Sequence, residues 1–215
     1  MIKYIIIILA IIACGCEEAT VTPYVPPAPK PTERDSIWGD YFTNTAGSEW
    51  EYNVSVNSQF SHIAYIKIEK RVLLNKKYSV ALWNISEKGN NIQHYTGIIA
   101  DTVFVYTDIN DLTNPQKIVK QYILPMEQYR TWSVRLLEQE FGNDNASGGT
   151  NIGSKTVTAG TFNNVLEIER ITDAKDRKSH QWINFVQNVG VIRSEILDIS
   201  TNTTTVWELR KYVQK

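Results

Sequence analysis

Residues 50–56 read Trp-Glu-Tyr-Asn-Val-Ser-Val, and their alternation decides the fold class. Trp50, Tyr52, Val54 and Val56 fall on one face of an extended chain, and Glu51, Asn53 and Ser55 on the other, as in a strand with one buried face. The pattern continues outward. Ala64, Ile66 and Ile68 alternate with Tyr65, Lys67 and Glu69, and Val165–Thr172 (VLEIERIT) alternates again. Tyr78–Ile85 (YSVALWNI) is apolar almost throughout and predicts a central strand covered on both sides. Ile92–Ile99, Thr102–Thr107, Lys117–Leu124, Lys155–Thr158, His180–Gln187, Val191–Ile199 and Thr204–Val213 complete the series. Met126–Gln139 is ambiguous, because Leu136–Gln139 suits a helix while Thr131–Val134 suits a strand; the strand is the reading adopted. Phe141–Asn151 (FGNDNASGGTN) carries no core residue after Phe141 and reads as a long polar loop. About ten or eleven short strands at near-regular spacing predict an all-β, antiparallel meander, strongly curved into a half-barrel or closed as a barrel.

The start of the chain fixes its compartment. Met1–Cys16 is MIKYIIIILAIIACGC: one cation, Lys3, then an apolar run from Tyr4 to Ala13, then two cysteines. This is the pattern of an export signal, shorter than the ~20 apolar residues of a spanning helix. Ile11-Ile12-Ala13-Cys14 resembles a bacterial lipobox, which implies a lipid on Cys14, with Cys16 as the alternative. Residues 17–36 hold five of the seven prolines and read as an extended tether, leaving residues 37–215 as one domain. Its partner is therefore a membrane, reached through the N-terminal lipid, and its expected location is the bacterial cell envelope, at the outer membrane. No other cysteine exists, so the domain holds together by burial without disulfides. Asp35-Ser36-Ile37 and Asp101-Thr102-Val103 match a short O-glycosylation pattern.

The 22 basic and 23 acidic residues give a net charge of −1, without the basic clustering of a nucleic-acid surface. No catalytic residue is assigned. His62, His94 and His180 are far apart in sequence and read as solvent-facing strand positions, so no metal site and no cofactor is expected. Asp108–Asp111 and Asn143–Asn145 offer hard oxygen ligands but lack the glycine and closing glutamate of a calcium loop. Glu167 and Glu169 share a strand face by periodicity and read as a wet outer surface. There is no G-x-S-x-G elbow, and Gly148-Gly149 is not followed by the lysine of a phosphate loop. The six Trp, eleven Tyr and six Phe remain, as core filling or as the lining of a concave pocket.

Three local patterns resemble a largely uncharacterised group of Bacteroidetes lipoproteins. These are Tyr41-Phe42 followed by Gly47, Trp50 and Tyr52; the hairpin Thr156–Val165 with Gly160-Thr161-Phe162 and Asn164-Val165; and Asn188-Val189-Gly190-Val191-Ile192, where Asn188 replaces a glycine. The resemblance implies a curved antiparallel sheet similar to the half-barrel of lipoprotein-localisation factors, a lipid anchor and a concave apolar face, and it implies no enzyme. The expected function is binding of a hydrophobic ligand or lipid on that face. The alternative is an accessory subunit of an outer-membrane or cell-surface complex, with an envelope protein as partner and a solid core. A hydrolase ranks third, and requires acidic residues converging in a deep pocket.

Overall fold

In a computed structural model of the chain the described residues are 41–74, 78–99, 101–112, 114, 117–124, 131–136, 144–174 and 177–215. Both cysteines, the tether and Asn143 lie outside them. The strands are β1 (Glu49–Val56), β2 (Gln59–Leu74), β3 (Tyr78–Glu87), β4 (Asn90–Ile99), β5 (Thr102–Tyr106), β6 (Ile118–Ile123), β7 (Thr131–Leu136), β8 (Asp144–Asn151), β9 (Ser154–Val157), β10 (Gly160–Asn163), β11 (Leu166–Ala174), β12 (Arg177–Val186), β13 (Gly190–Asp198) and β14 (Thr203–Val213). Twelve of them form one antiparallel ring, each strand beside its predecessor, with β1 closing on β14. The β9–β10 hairpin stands outside the ring, so that β8 pairs directly with β11. Among the described residues pairing is thinnest between β6 and β7, where two register pairs join the strands, Val119 with Leu136 and Lys120 with Arg135.

The all-β meander is as expected, and it closes as a barrel. The described portion of the ambiguous stretch, Thr131–Leu136, is a strand. The polar-loop reading of Phe141–Asn151 is corrected, because its described part is β8, paired to β7 and β11. Its Asn, Ser and Gly residues have poor strand propensity, but the neighbouring backbones supply their hydrogen bonds. Ala146 lies opposite Trp132, and a small residue fits where the facing strand contributes an indole.

Alternation sorts each strand into an inner and an outer face. Trp50, Tyr52 and Val54 point inward and are buried, while Glu51 and Asn53 point out. The expectation that 78–85 is covered on both faces holds. Ala81 and Trp83 face the interior, and Val80 and Leu82 pack outside with Ile109 and Leu112 of the β5–β6 loop. The β9–β10 hairpin lies against the outside of β1 and β14. Thr158 donates from its backbone N–H and its hydroxyl to Glu208 Oε1 (3.0 and 2.6 Å), and Ala159 N–H donates to the Leu209 carbonyl (2.9 Å).

Strand number governs what the interior must do. Eight strands make a barrel that side chains just fill, and diameter grows with strand number. Twelve strands leave a lumen too wide for wall residues alone. The segment before β1 enters it: Phe42 packs against Tyr122, Phe185 and Trp83 at ring separations of 5.1, 5.7 and 6.4 Å. Thr43 accepts a hydrogen bond from Gln214, and Asn44 Oδ1 accepts one from the Trp83 indole (3.0 Å). This plug fills one end of the lumen.

Candidate functional site

Beside the plug, part of the lumen is hollow, while Tyr122, Trp132, Ile168 and Phe185 pack together across the β6–β12 side. A cavity of about 370 Å³ lies between the plug and the inner faces of β1, β2, β3, β12, β13 and β14. An engineered apolar cavity of roughly 150 Å³ suffices to hold benzene, so this space is of ligand size. Its walls are aromatic and aliphatic, and Gln181, Ser194 and Thr43 supply the polar side chains. Gln181 Nε2 donates to Ser194 Oγ (2.9 Å), which pairs two of the three within the wall. Among the described residues that line the cavity there is no carboxylate.

Exposure is graded along the cavity. At the plug end Trp50, Tyr52, Ile183 and Phe185 are buried. Toward the other end Ile85, Gln181, Ser194, Ile196 and Trp207 are half-buried. The second group lies nearer the β1–β2, β3–β4 and β13–β14 turns, and the mouth opens at that end. Beside it, by register, the inward-facing His62 and Glu87 form a polar lip: His62 Nε2 meets Glu87 Oε1 at 2.9 Å, and its Nδ1 meets Ser61 Oγ at 3.0 Å.

The closed end is built by two donors. Pairing of β13 with β14 runs from Arg193–Glu208 to Asp198–Thr203, so residues 190–192 have no register partner on β14. There the Trp50 indole N–H donates to the Val189 carbonyl (2.7 Å), and the Tyr52 hydroxyl donates to the Val191 carbonyl (2.8 Å). Burial holds the Tyr52 phenol far above its ordinary pKa, so it stays a donor; burial likewise raises Tyr122. Gly190 sits between the two acceptors at φ +91°, a conformation that a side chain would strain. Trp50, Tyr52, Val157, Val165 and Val189 share one core cluster, so residues of all three patterns meet at one place, the first of them more than a hundred positions from the other two. Trp50 also stacks on Trp83 (5.8 Å, 9°), carrying the aromatic lining across the lumen.

The remaining candidates disperse. The histidines differ: His180 is on the outer face as expected, whereas His94 turns into the lumen and His62 inward at its mouth, which corrects the expectation for those two. His62 is on the lip, and His180 is outside, bonded to Glu169 (2.5 Å) and stacked on Trp182. His94 is inside, stacked on Trp83, with its pKa pushed down to about 4 by burial. Among the described residues no group of three His, Cys, Asp or Glu could hold a metal ion. Asp108 caps its own turn by accepting from Asn110 N–H (2.9 Å). Glu167 and Glu169 face outward as expected, accepting from Asn184 and bonding His180. Thr102 is buried, its hydroxyl donated to Asp101, and offers no site for a sugar. Cys14, Cys16 and Asp35–Ile37 lie outside the described residues. Ile85, Gln181, Ser194 and Ile196 were not singled out by sequence; alternation alone marks them as inward-facing, without marking the space as empty.

No family model and no curated protein matches the chain. Among solved structures, a protein of Bacteroides fragilis inferred to be exported, with a YmcC-like fold, is similar at 13% identity and TM-score 0.47, over 81% of this chain and 99% of that one. A protein of Parabacteroides distasonis inferred to be a lipoprotein is similar at 13% identity and TM-score 0.49, over 80% and 98%.

Proposed function

We propose that this protein is a lipid-anchored component of the bacterial envelope, at the outer membrane, that holds a hydrophobic molecule such as an acyl chain inside its barrel. The observation that carries the reading is the plugged, aromatic-lined cavity of about 370 Å³. Burial of each methylene contributes ~0.8 kcal/mol, so a medium-length chain gains enough to offset the cost of immobilising it. The reading assigns the protein no chemical step. The signal-like sequence of residues 1–16 supports anchorage through Cys14, or Cys16. A solid core, which the accessory-subunit alternative expects, is at odds with the hollow lumen.

Organic extraction of protein purified from its native envelope, followed by mass spectrometry, should recover one class of apolar molecule at near-stoichiometric yield. Emptied protein should bind a fluorescent fatty acid, and Ser194→Phe, which puts a ring into the cavity, should abolish that binding without unfolding the barrel. Repeated recovery of nothing, with no probe bound by the emptied protein, overturns the reading.

A further inference from the structure

We infer that the three hairpin tips around the cavity mouth are a lipid-contacting rim, on which the barrel sits against a bilayer surface while its apolar cargo passes. The inference rests on the hydrophobic-ligand reading and adds the source from which the cavity is filled. The β13–β14, β1–β2 and β3–β4 hairpins are consecutive around the ring, and all three turn at the open end. Each carries an apolar side chain held out into solvent: Ile199 at 54% exposure, Phe60 at 65% and Ile92 at 55%. Charged groups flank these tips: Lys88 and Glu87 stand at the β3–β4 turn, the Asp198 carboxylate accepts from Ser200 and Thr201 N–H at the β13–β14 turn, and Ile199 N–H donates to the carbonyl of Lys178, which pairs with Asp173 (3.1 Å), so the apolar side chains stand beside charges that a headgroup layer solvates.

The pattern selects a bilayer over a folded partner. A stable protein interface needs a continuous, complementary patch of ~800 Å² on each side. Three separate prongs divided by polar turns do not supply one, whereas a bilayer interface accepts apolar side chains one at a time to a depth of roughly 5–10 Å. The placement also removes an obstacle to transfer. The half-buried walls of the cavity begin at this rim, so a chain leaving the bilayer meets Ile85, Ile196 and Trp207 without crossing bulk water. The plug and Tyr41 are at the opposite end, preceded by the 24 residues that follow Cys16. At ~3.3 Å per residue these reach up to about 80 Å, longer than the barrel, so an anchor upstream of Tyr41 permits the mouth to face the same membrane.

The test uses the full chain with Cys14 and Cys16 replaced by serine, and one new cysteine carrying an environment-sensitive fluorophore. Ile92→Cys reports on the rim. Leu73→Cys is the control: it is as exposed as Phe60 (65%) and near the far end of β2, roughly 40 Å away along the strand. The N-terminal segment is common to both proteins. With phosphatidylcholine vesicles the rim label should blue-shift and brighten several-fold while the Leu73 label stays unchanged. Combined Phe60→Ser, Ile92→Ser and Ile199→Ser should slow transfer of a fluorescent fatty acid from vesicles by roughly tenfold or more, while leaving its binding from solution intact. Equal responses at both labels, or none at the rim, overturn the inference, as does a rim response that needs a second copy of the chain rather than lipid. If fatty acid binds from solution but the rim label stays silent, the rim alone fails. If the rim responds and nothing binds, the cavity reading fails.

Discussion

The closed end of the cavity depends on two side chains donating to two carbonyls beyond the end of the β13–β14 pairing, and this dependence is measurable. Tyr52→Phe keeps the ring, which is 3% exposed, and removes only the hydroxyl that meets the Val191 carbonyl at 2.8 Å. Losing that bond costs about 1–2 kcal/mol. Trp50→Phe removes the 2.7 Å bond to Val189 and shrinks a ring stacked on Trp83, leaving a void, for roughly 2–3 kcal/mol. Because both donors hold the same three-residue stretch, the double variant should depart from additivity by at least ~0.5 kcal/mol. Urea unfolding followed by tryptophan fluorescence reads these values. With m near 2 kcal/mol/M, Tyr52→Phe should lower the midpoint by roughly 0.5–1 M at unchanged m. Tyr65→Phe is the control, since Tyr65 is half exposed and its hydroxyl should matter by under ~0.5 kcal/mol. If Tyr52→Phe unfolds at the same midpoint as Tyr65→Phe, the clamp is incidental and the account of how the lumen is sealed is wrong.

Two further outcomes follow from single groups. Burial disfavours the His94 imidazolium, so the unfolded chain binds a proton that the folded chain resists; the stabilising contribution is complete above about pH 6.5 and drains away as pH falls to about 4, by roughly 3 kcal/mol in all, and His94→Gln should flatten that part of the pH–stability curve relative to the parent. Gly97 lies opposite Val80 with space for no more than hydrogen, since a Cβ there would stand 2.8 Å from Val80 Cγ1; Gly97→Ala should cost ~1–3 kcal/mol in thermal or urea unfolding, and Val80→Ala in the same chain should recover part of it, a rescue whose absence would point to backbone rather than steric causes.

Much of the barrel is legible in the sequence because a wall with one wet face writes itself as alternation. Trp50–Val56 and Val165–Thr172 announce their inner faces directly, and the doubly apolar Tyr78–Ile85 announces the outer cover that Ile109 and Leu112 provide. Asp144–Asn151 is illegible for the converse reason: opposite Trp132 the wall needs small residues, and small polar residues spell a loop. The hollow is illegible on principle. Nothing in the composition of Ile183, Phe185 or Trp207 says whether the opposite wall is close enough to touch them, because that distance is set by how many strands complete the ring. The donors of Trp50 and Tyr52 find acceptors 139 residues away, so a sequence can advertise the aromatic pair but not what it ties.

The two-rung contact between β6 and β7 carries a consequence of its own. A closed ring protects every strand from strangers only while all of its joints hold, and among the described residues this is the joint with the fewest paired positions. Were it to part, Ile118–Ile123 and Thr131–Leu136 would each show a free row of amides and carbonyls, the template on which chains of one kind add to one another. The same gap would give the lumen a sideways door, where crowding and cargo would compete for it.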